Sequence, residues 1–470
     1  GSGHTFLISG TLTIPGGLKM TPVAGGAAST IRMSPLVPNR TRMFTINPGA
    51  TDILINGLVL DESGKGGILI IAPDPTDSPP ERIVVQNCVF RNTGSYAWAN
   101  DFKDSAPIYL RNARNLIVKQ NEFANVSTTW IGPCQNCEWR QNLYHQSYSG
   151  NWISLNFSGE TRSWTFGEGF VLDGNIFRDV CRMAVELFSN LRAPRITNNR
   201  LESWNETTQT CIDYGGVRFG FSLVGGGANQ ALVAGNYAYG PLSRPIGFEI
   251  GWSHSTWANN EVDGFDKAFV VQGQQGNVIT GNRIYNSNTG IYFSNAAGGN
   301  NQNTIVENNL IVDTVTAAIT MIPNYYGGSV FRNNTILRQS SKPDDGVTTW
   351  RCFKLDAPDS PVTFENNSCE LRVSGLSAYW GFAVYGYMGA SRFIGNSVKT
   401  CGVGPFGTGF RLSATTHLSG ATVSNHHSEN LNYETTGTSG LGSASGNTYY
   451  NVANRDPNLG SVSGAARCTP

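Results

Sequence analysis

Charged residues are scarce in this chain of 470 residues, and the two signs cancel. Asp, Glu, Lys and Arg together make up 14% of the sequence, and the formal net charge is zero. Nucleic-acid-binding surfaces are built from clustered basic residues, so we expect no nucleic-acid partner. No apolar run approaches the ~18 residues that a membrane-spanning segment needs, and we therefore expect no membrane insertion.

Cysteines are few and scattered: the chain has nine, an odd number, without the spacing of a disulfide framework. Cys134 and Cys137 form a CQNC string, which is half of what a zinc site needs, but no second CxxC and no histidine pair accompany it. We predict neither a metal site nor a cofactor. We interpret four other cysteines as buried thiols: Cys88, Cys181, Cys211 and Cys352.

An asparagine recurs along almost the whole chain, each time after one short alternating segment and before another. The steps between successive copies run from 21 to 37 residues. A period of this size with strand–turn–strand content is typical of a solenoid, and asparagine suits a turn because it tolerates a left-handed backbone. The fourteen copies are Asn56, Asn87, Asn121, Asn142, Asn175, Asn199, Asn236, Asn260, Asn282, Asn309, Asn334, Asn367, Asn396 and Asn425.

The repeat predicts an all-β fold, a single-stranded right-handed parallel β-helix of about 12–14 coils, one for each asparagine. We place this domain at residues 1–430. Residues 431–470 contain the linker-like TTGTSGLGSASG and lack the coil pattern, so we expect an irregular C-terminal cap or tail there. The segment TFLISGTLTIPGGLKM near the start already alternates like strands, which suggests that a preceding portion has been removed.

A second short strand follows each asparagine by about ten to fifteen residues and reads apolar–variable–apolar. Side chains alternate between the two faces of a strand, so the central residue of each triplet is expected to point outward. Together the central residues form one column along a parallel sheet: Tyr109, Ser154, Glu186, Ser222, Glu249, Val270, Tyr292, Thr320, Lys354 and Arg411.

Two carboxylates stand near the middle of this column, Glu186 and Glu249, with Ser222 between them. Adjacent strands lie ~4.8 Å apart, so the two backbones are expected roughly 9–10 Å apart. Inverting glycosidases hold their carboxyl pair ~6.5–9.5 Å apart, to leave room for a water molecule. The pair is therefore a candidate for inverting hydrolysis. The alternative is two solvated glutamates on a polar sheet face, because exposed glutamates are common.

The long segment WNETTQTCIDYGGVRFG lies between the two glutamates and adds further candidates. Long insertions in a solenoid coil often form its binding face. Asp213 is a third catalytic carboxylate candidate, and the same segment, the outward column and the string GWSHSTW after Glu249 supply candidates for substrate binding. These are Arg218 as a clamp for an acidic sugar, Tyr214, Trp252, His254, Tyr292 and Tyr109.

The coils, the asparagine turns and the opening TFLISGTLTIPGGLKM resemble the pectin-lyase-like parallel β-helix superfamily, and within it the tailspike depolymerases of bacteriophages. The resemblance covers residues 5–425 approximately and is one of repeat pattern. Strings of the polygalacturonases (NTDG, GHG, RIK) and of alginate epimerases (DPHD) do not occur. The resemblance implies a depolymerase of a bacterial capsular or lipopolysaccharide glycan, outside the cell or on the virion tail, with a homotrimer as one possibility.

Three functions remain open at this stage. The first is an endo-acting glycoside hydrolase that uses the carboxylate pair. The second is a polysaccharide lyase, which needs a base (Tyr214, His145 or His254) and a cation such as Arg218 to neutralise a substrate carboxylate. The third is a non-catalytic solenoid that binds glycans. Members of one fold often differ in function, so the fold does not choose among them.

Overall fold

The computed structural model describes residues 3–22, 26–71, 78–94, 104–110, 112–132, 134–148, 151–154, 167–188, 191–204, 219–224, 230–294, 299–340, 349–356, 360–373, 378–401, 407–412, 420–429, 431, 433–435, 443–450, 452 and 462–463. The chain divides into two compact units, Gly1–Tyr239 (unit 1) and Gly240–Pro470 (unit 2). Within the described residues, no helix has the length and apolar content needed to cross a membrane.

Unit 1 winds through three parallel sheets, to each of which every complete coil contributes a strand. Sheet 1 precedes the asparagine turn: Lys19–Met20, Thr51–Asn56, Glu81–Gln86, Ala113–Lys119, Cys134–Gln135, Glu138–Arg140, Val171–Asp173, Arg195–Thr197 and Leu232–Ala234. Sheet 2 follows the turn: Thr5–Ile8, Thr30–Met33, Val59–Asp61, Val89–Arg91, Glu122–Ala124, Leu143–His145, Ile176–Arg178, Arg200–Leu201 and Tyr237–Gly240. Sheet 3 holds the triplets: Leu12–Ile14, Phe44–Ile46, Leu69–Ile71, Ile108–Leu110, Thr129–Ile131, Asn151–Ser154, Val185–Phe188 and Phe219–Val224. A further short pair joins Gly167–Glu168 to Leu191–Arg192.

Unit 2 has the same three sheets. Sheet 1 comprises Thr256–Ala258, Val278–Thr280, Ile305–Glu307, Val330–Arg332, Thr363–Glu365, Arg392–Ile394, Thr422–Ser424 and Ser443–Ser445. Sheet 2 comprises Glu261–Gly264, Arg283–Tyr285, Leu310–Val312, Thr335–Arg338, Ser368–Leu371, Ser397–Thr400, His427–Glu429, Thr448–Tyr450 and Val462–Ser463. Sheet 3 comprises Ile246–Ile250, Lys267–Gln272, Thr289–Ser294, Ala317–Met321, Thr349–Leu355, Ala378–Val384, Thr408–Leu412 and Tyr433–Thr435. The predicted parallel β-helix is confirmed.

The strands form because apolar side chains alternate along them and fill the lumen. Equivalent residues of successive coils stack on one another: in unit 1 the rings of Phe90 and Phe123 lie 5.0 Å apart, and those of Phe123 and Tyr144 lie 4.5 Å apart. In unit 2 the rings of Phe353 and Phe382 stack at 4.7 Å. Offset stacking of this kind adds to the burial of apolar area, so each coil is held in register with the next.

Eleven of the fourteen asparagines occupy one equivalent position and form ladders, five in unit 1 and six in unit 2. Where one ladder asparagine follows another within a unit, the later one accepts a backbone N–H and a side-chain N–H from the preceding coil, as Asn334 does from Asn309 at 3.1 and 2.9 Å. The Nδ2 of Asn334 donates in turn to the backbone carbonyl of Val306 at 2.9 Å. The ladder therefore satisfies buried backbone groups that would otherwise have no partner.

Three predicted asparagines lie off the ladder. Cys88 and His426 occupy the ladder position in their coils, since their N–H groups donate to the next ladder asparagine, at 3.0 Å for Cys88 and 2.8 Å for His426. Asn87 and Asn425 are one residue early, and Asn56 is the last residue of a sheet 1 strand. The prediction missed Asn447, whose Oδ1 accepts the N–H of His426.

The left-handed backbone also belongs to a different residue from the one predicted. The residue before the ladder position has the positive φ, for example 55° at Gln120 and 54° at Asn333. Asparagine, glutamine and glycine alternate there because these residues tolerate that conformation or, in the case of glycine, carry no side chain to oppose it. The turn therefore uses two positions, one for backbone geometry and one for hydrogen bonding.

The described strands continue past residue 430. His427–Glu429 pairs with Thr448–Tyr450, and Thr448–Tyr450 pairs with Val462–Ser463, all parallel. These segments extend the sheets of unit 2, although the sequence pattern suggested an irregular tail there. The boundary between the two domains at residue 430 stays a prediction.

A buried glutamate just after Val59–Asp61 makes the stability of unit 1 depend on pH. Glu62 is fully buried, and its Oε2 accepts the N–H groups of Lys65 at 2.8 Å and Gly66 at 2.7 Å. Burial raises the pKa of Glu62 to about 8, although the two backbone N–H groups oppose the shift. An acid whose pKa is raised on folding stabilises the protein below its unfolded pKa, and this contribution is lost as the pH rises through the folded pKa.

We therefore expect stability to fall between about pH 4.5 and pH 8, with a Glu62 contribution to the slope of at most about 1.4 kcal/mol per pH unit. Glu62→Gln removes this titration and should flatten the slope, as measured by urea unfolding across that range. Glu81→Gln, which changes a surface carboxyl paired with Arg114 at 3.3 Å, is the control. An unchanged slope in Glu62→Gln would contradict the assignment.

Candidate functional site

The first predicted glutamate lies on the outward side of sheet 3 in unit 1. Glu186 stands between Val185 and Leu187, which are both fully buried. Because successive side chains of a strand point to opposite faces, Glu186 points away from the lumen. Its neighbours in the parallel register are Trp152 and Ser222, and Ser222 is 2% exposed. A small hydroxyl therefore lies directly beside this carboxyl group.

An arginine that the sequence patterns did not indicate is the partner of this carboxyl. Arg182 lies in the bend before the strand, and its Nη1 is 2.7 Å from Oε2 of Glu186. The two side chains are 14% and 13% exposed, respectively. Burial raises the pKa of Glu186, while the charge and hydrogen bond of Arg182 act in the opposite direction. The result is a carboxyl that holds its proton more strongly than an exposed one and that has a cation beside it.

The second predicted glutamate has a similar setting in unit 2. Glu249 stands between Phe248 and Ile250, which are fully buried, and is itself 7% exposed. Its Oε1 accepts a hydrogen bond from Nε2 of Gln272, at the end of the next strand of sheet 3. Its register neighbour is Val270. The amide of Gln272, which sequence reasoning also missed, orients this carboxylate.

The two glutamates thus belong to different units, Glu186 to unit 1 and Glu249 to unit 2. Each lies outward on a sheet 3 strand, and each has a polar partner that fixes its orientation. The spacing that the sequence suggested between their carboxyl groups stays a prediction.

One predicted aromatic contact remains accessible on the face of unit 2. Tyr292 follows Val270 in the outward register and is partly exposed. The ammonium of Lys267 lies 5.3 Å from the centre of its ring, and the same ammonium is 2.5 Å from a carboxylate oxygen of Asp266. This ring is thus positioned by a cation–π contact and remains partly exposed.

Two other predicted platforms are covered by protein. Trp252 is 1% exposed and Tyr109 is 3% exposed. A sugar ring needs an open aromatic face, so neither residue offers the surface that we expected. Strand alternation predicted the direction of Tyr109, but it does not report what covers the outward side.

His254 occupies a turn position that recurs through unit 2. Its φ is 51°, and the residues at the same place in the next coils, two before a sheet 1 strand, also have positive φ: Gly276, Asn303 and Gly328. It is exposed. The positive φ recurs whichever residue is present, so this position has a conformational requirement of its own.

The remaining predicted residues, Asp213, Tyr214 and Arg218, lie outside the described residues. Their roles therefore stay predictions.

The CQNC string forms a disulfide between Cys134 and Cys137. The thiols of these residues are therefore not available to a metal. Among the described residues no group of three His, Cys, Asp or Glu side chains is placed to hold a metal ion. Cys88 and Cys352 are buried free thiols as predicted, whereas Cys181 is disulfide-bonded and corrects that prediction. Cys211 lies outside the described residues.

No protein-family profile and no curated protein matches the chain. Solved structures that match the chain include tailspike proteins. A double mutant of the tailspike of E. coli bacteriophage HK620 is 11% identical with a TM-score of 0.37, over 94% of this chain and 72% of that one. The same tailspike in complex with a pentasaccharide is 10% identical with a TM-score of 0.35 over the same shares.

The Dettilon tailspike protein is 12% identical with a TM-score of 0.33, over 89% of this chain and 63% of that one. This chain therefore spans slightly less than two thirds of the length of that tailspike. Identities and TM-scores of this size carry no argument about function, which has to rest on the residues of this chain.

Proposed function

We propose that the chain is a polysaccharide depolymerase, an endo-acting glycoside hydrolase with Glu186 and Glu249 as its two carboxyl groups. The observation that carries the proposal is the setting of Glu186. It is an outward-facing carboxyl whose pKa is raised by burial and which is paired with Arg182 at 2.7 Å. A general acid in glycoside hydrolysis must be protonated near the working pH and must then carry a negative charge. Burial favours the protonated form of Glu186, and Arg182 stabilises the negative charge that remains after the proton is donated.

In this mechanism Glu186 protonates the leaving glycosidic oxygen. Glu249, oriented by the amide of Gln272, accepts a proton from the attacking water on the opposite face of the sugar. Ser222, beside Glu186 in the sheet register, is small enough to leave space for that water. Tyr292 is the accessible ring on the same sheet of unit 2, and Asp213, Tyr214 and Arg218 complete the proposed substrate contacts.

The proposed substrate is a bacterial capsular or lipopolysaccharide glycan, and the proposed location is outside the cell or on a virion tail. Both follow from the resemblance of the repeat pattern to tailspike depolymerases. A homotrimer is part of the same proposal. The chemistry proposed for the two glutamates does not depend on any of these three points.

The reaction class is tested by incubating the protein with purified capsular and lipopolysaccharide glycans and measuring chain length, reducing ends and ultraviolet absorbance. We expect shorter chains with one new reducing end for each cut and no absorbance of an unsaturated uronate, because hydrolysis adds water without creating a double bond. New ultraviolet absorbance would identify a lyase. A glycan that is bound but not shortened would identify a non-catalytic binding protein.

A further inference from the structure

A group of cations and aromatic rings lies on the fifth to seventh strands of sheet 3 in unit 2, away from Glu249. We define it as the arginine–aromatic patch, made of Arg351, Lys354, Trp380, Tyr385 and Arg411. Lys354 follows Glu249 by four strands of the sheet, which is about 19 Å at ~4.8 Å per strand. The patch is therefore separate from the surroundings of Glu249 on the same outward face.

The register brings these side chains together. Arg351 pairs with Trp380, and Lys354 pairs with Ala383, which pairs in turn with Arg411. Along Thr349–Leu355 the burial order places Arg351 and Lys354 at the surface and the residues between them inside. One strand therefore presents two cations outward, three positions apart.

The rings hold the guanidinium groups in place. The Cζ atom of Arg351 lies 4.7 Å from the ring centre of Trp380, and that of Arg411 lies 5.7 Å from it. The Nε of Arg351 also donates to the hydroxyl of Tyr385 at 3.3 Å. Stacking and hydrogen bonding fix these side chains before any ligand arrives, which lowers the entropy cost of binding.

Arg351 has different contacts from two other surface arginines in unit 2, Arg332 and Arg372. Arg332 and Arg372 each pair with a glutamate, Glu307 and Glu370. Within the described residues, the contacts of Arg351 are with a neutral indole and a neutral phenol. A carboxylate in the patch, that of Asp356, lies 2.8 Å from Lys354. Among the described residues Arg351 therefore carries a charge that no carboxylate contacts, on a planar group able to make a two-pronged contact with a carboxylate.

We infer that the arginine–aromatic patch binds a polysaccharide that carries carboxylate groups. Arg351 and Arg411 would contact the carboxylates, and Tyr385, which is 36% exposed, and Tyr387, which is 59% exposed, would contact the apolar faces of the sugar rings. A chain laid along sheet 3 from this patch reaches the strand of Glu249. The patch would bind the polysaccharide whether or not Glu249 takes part in hydrolysis.

The experiment is native electrophoresis in gels that contain either polygalacturonate, a carboxylate polymer, or neutral dextran. We expect polygalacturonate to retard the wild-type protein and Glu249→Gln equally, and dextran to retard neither. The double variant Arg351→Gln/Arg411→Gln should bind polygalacturonate at least about tenfold more weakly, since each lost charged hydrogen bond contributes at least that factor. Retardation of the wild type should also decrease with added salt.

Two further variants show whether weaker binding reflects the loss of a contact or the loss of the fold. Arg200→Gln removes an arginine that stacks on Tyr237 at 4.6 Å in unit 1 and should bind like the wild type. Arg351→Lys keeps the charge but loses the planar contact, and it should bind more weakly than wild type and more tightly than the double variant. Three results would each overturn the inference. The first is that polygalacturonate retards both Arg351 variants as strongly as the wild type, and the second is that it does not retard the wild type. The third is that single-stranded DNA retards the protein more strongly than polygalacturonate does.

Discussion

Glu186→Gln is expected to lower the turnover of polysaccharide cleavage at least 100-fold. General acid catalysis contributes ~10²–10⁴-fold, and glutamine keeps the size of the side chain but cannot donate the required proton. Arg182 loses its ionic partner, so a modest loss of stability, about 1–3 kcal/mol, is expected as well. Turnover should be measured at saturating substrate and at a temperature where the melting curve shows the variant fully folded.

Glu249→Gln should give a loss of the same size, because an amide cannot act as the base for the attacking water. The pH dependence separates the two roles. A general acid is active when protonated, so the rate should fall as the pH rises through the pKa of Glu186, which burial places above that of an ordinary glutamate. Replacing the base should remove the acidic limb of the profile and leave the alkaline one.

The matched control is Glu202→Gln in unit 1. This glutamate pairs with Arg178 at 2.6 Å on the outside of the fold, so the change removes an arginine–glutamate pair at another place and should leave turnover unchanged. Near-normal activity of both Glu186→Gln and Glu249→Gln would show that the paired-glutamate mechanism is wrong. Loss of activity in variants of Tyr214 or Arg218 instead would point to elimination.

Asn334→Ala is expected to cause a large loss of stability, as a representative change in the asparagine ladder. The change leaves the buried N–H of Asn309 without its acceptor and the carbonyl of Val306 without its side-chain donor. Each unsatisfied buried group costs ~1–3 kcal/mol, so we expect a total of roughly 2–6 kcal/mol for the two groups. The free energy of unfolding in urea measures it, together with the melting temperature.

The neighbouring residue supplies a control in the same turn. Asn333→Gly changes a residue with a φ of 54°, which glycine adopts without strain, and it leaves the ladder bonds in place. We expect this variant to stay within about 1 kcal/mol of the wild type. If Asn334→Ala were no more destabilising than Asn333→Gly, the ladder would contribute little to stability.

The fold could be predicted from the sequence because the repeat is both local and long. Each coil places an asparagine after one alternating strand and before another, and eleven of the fourteen predicted residues lie at the same turn position. The errors have a local cause. In QNCVF and SNHHS an asparagine stands one residue early, where the left-handed conformation favours it, and Cys88 or His426 takes the ladder position.

The outward direction of the glutamates was predictable for the same reason, since it follows from strand alternation. Their partners were not. Arg182 reaches Glu186 from a bend, and Gln272 reaches Glu249 from the next coil, and neither contact has a sequence period. The exposure of Trp252 and Tyr109 failed as a prediction because alternation gives the direction of a side chain and not what covers it.

The hydrogen bonds of the asparagine ladder all run in one direction along each unit. The Oδ1 of Asn175 accepts from Asn142 in the coil before it, the Oδ1 of Asn334 accepts from Asn309, and the Asn–Asn Nδ2 bonds of both units donate to the coil after. The side-chain amide dipoles are therefore aligned head to tail and polarise one another. The two ends of such a row differ chemically: the leading asparagine presents an acceptor and needs a donor, as the N–H of Cys88 supplies to Asn121, and the trailing end needs an acceptor, as Asn447 supplies to His426. Extra coils grafted onto this solenoid would need a donor at one end and an acceptor at the other.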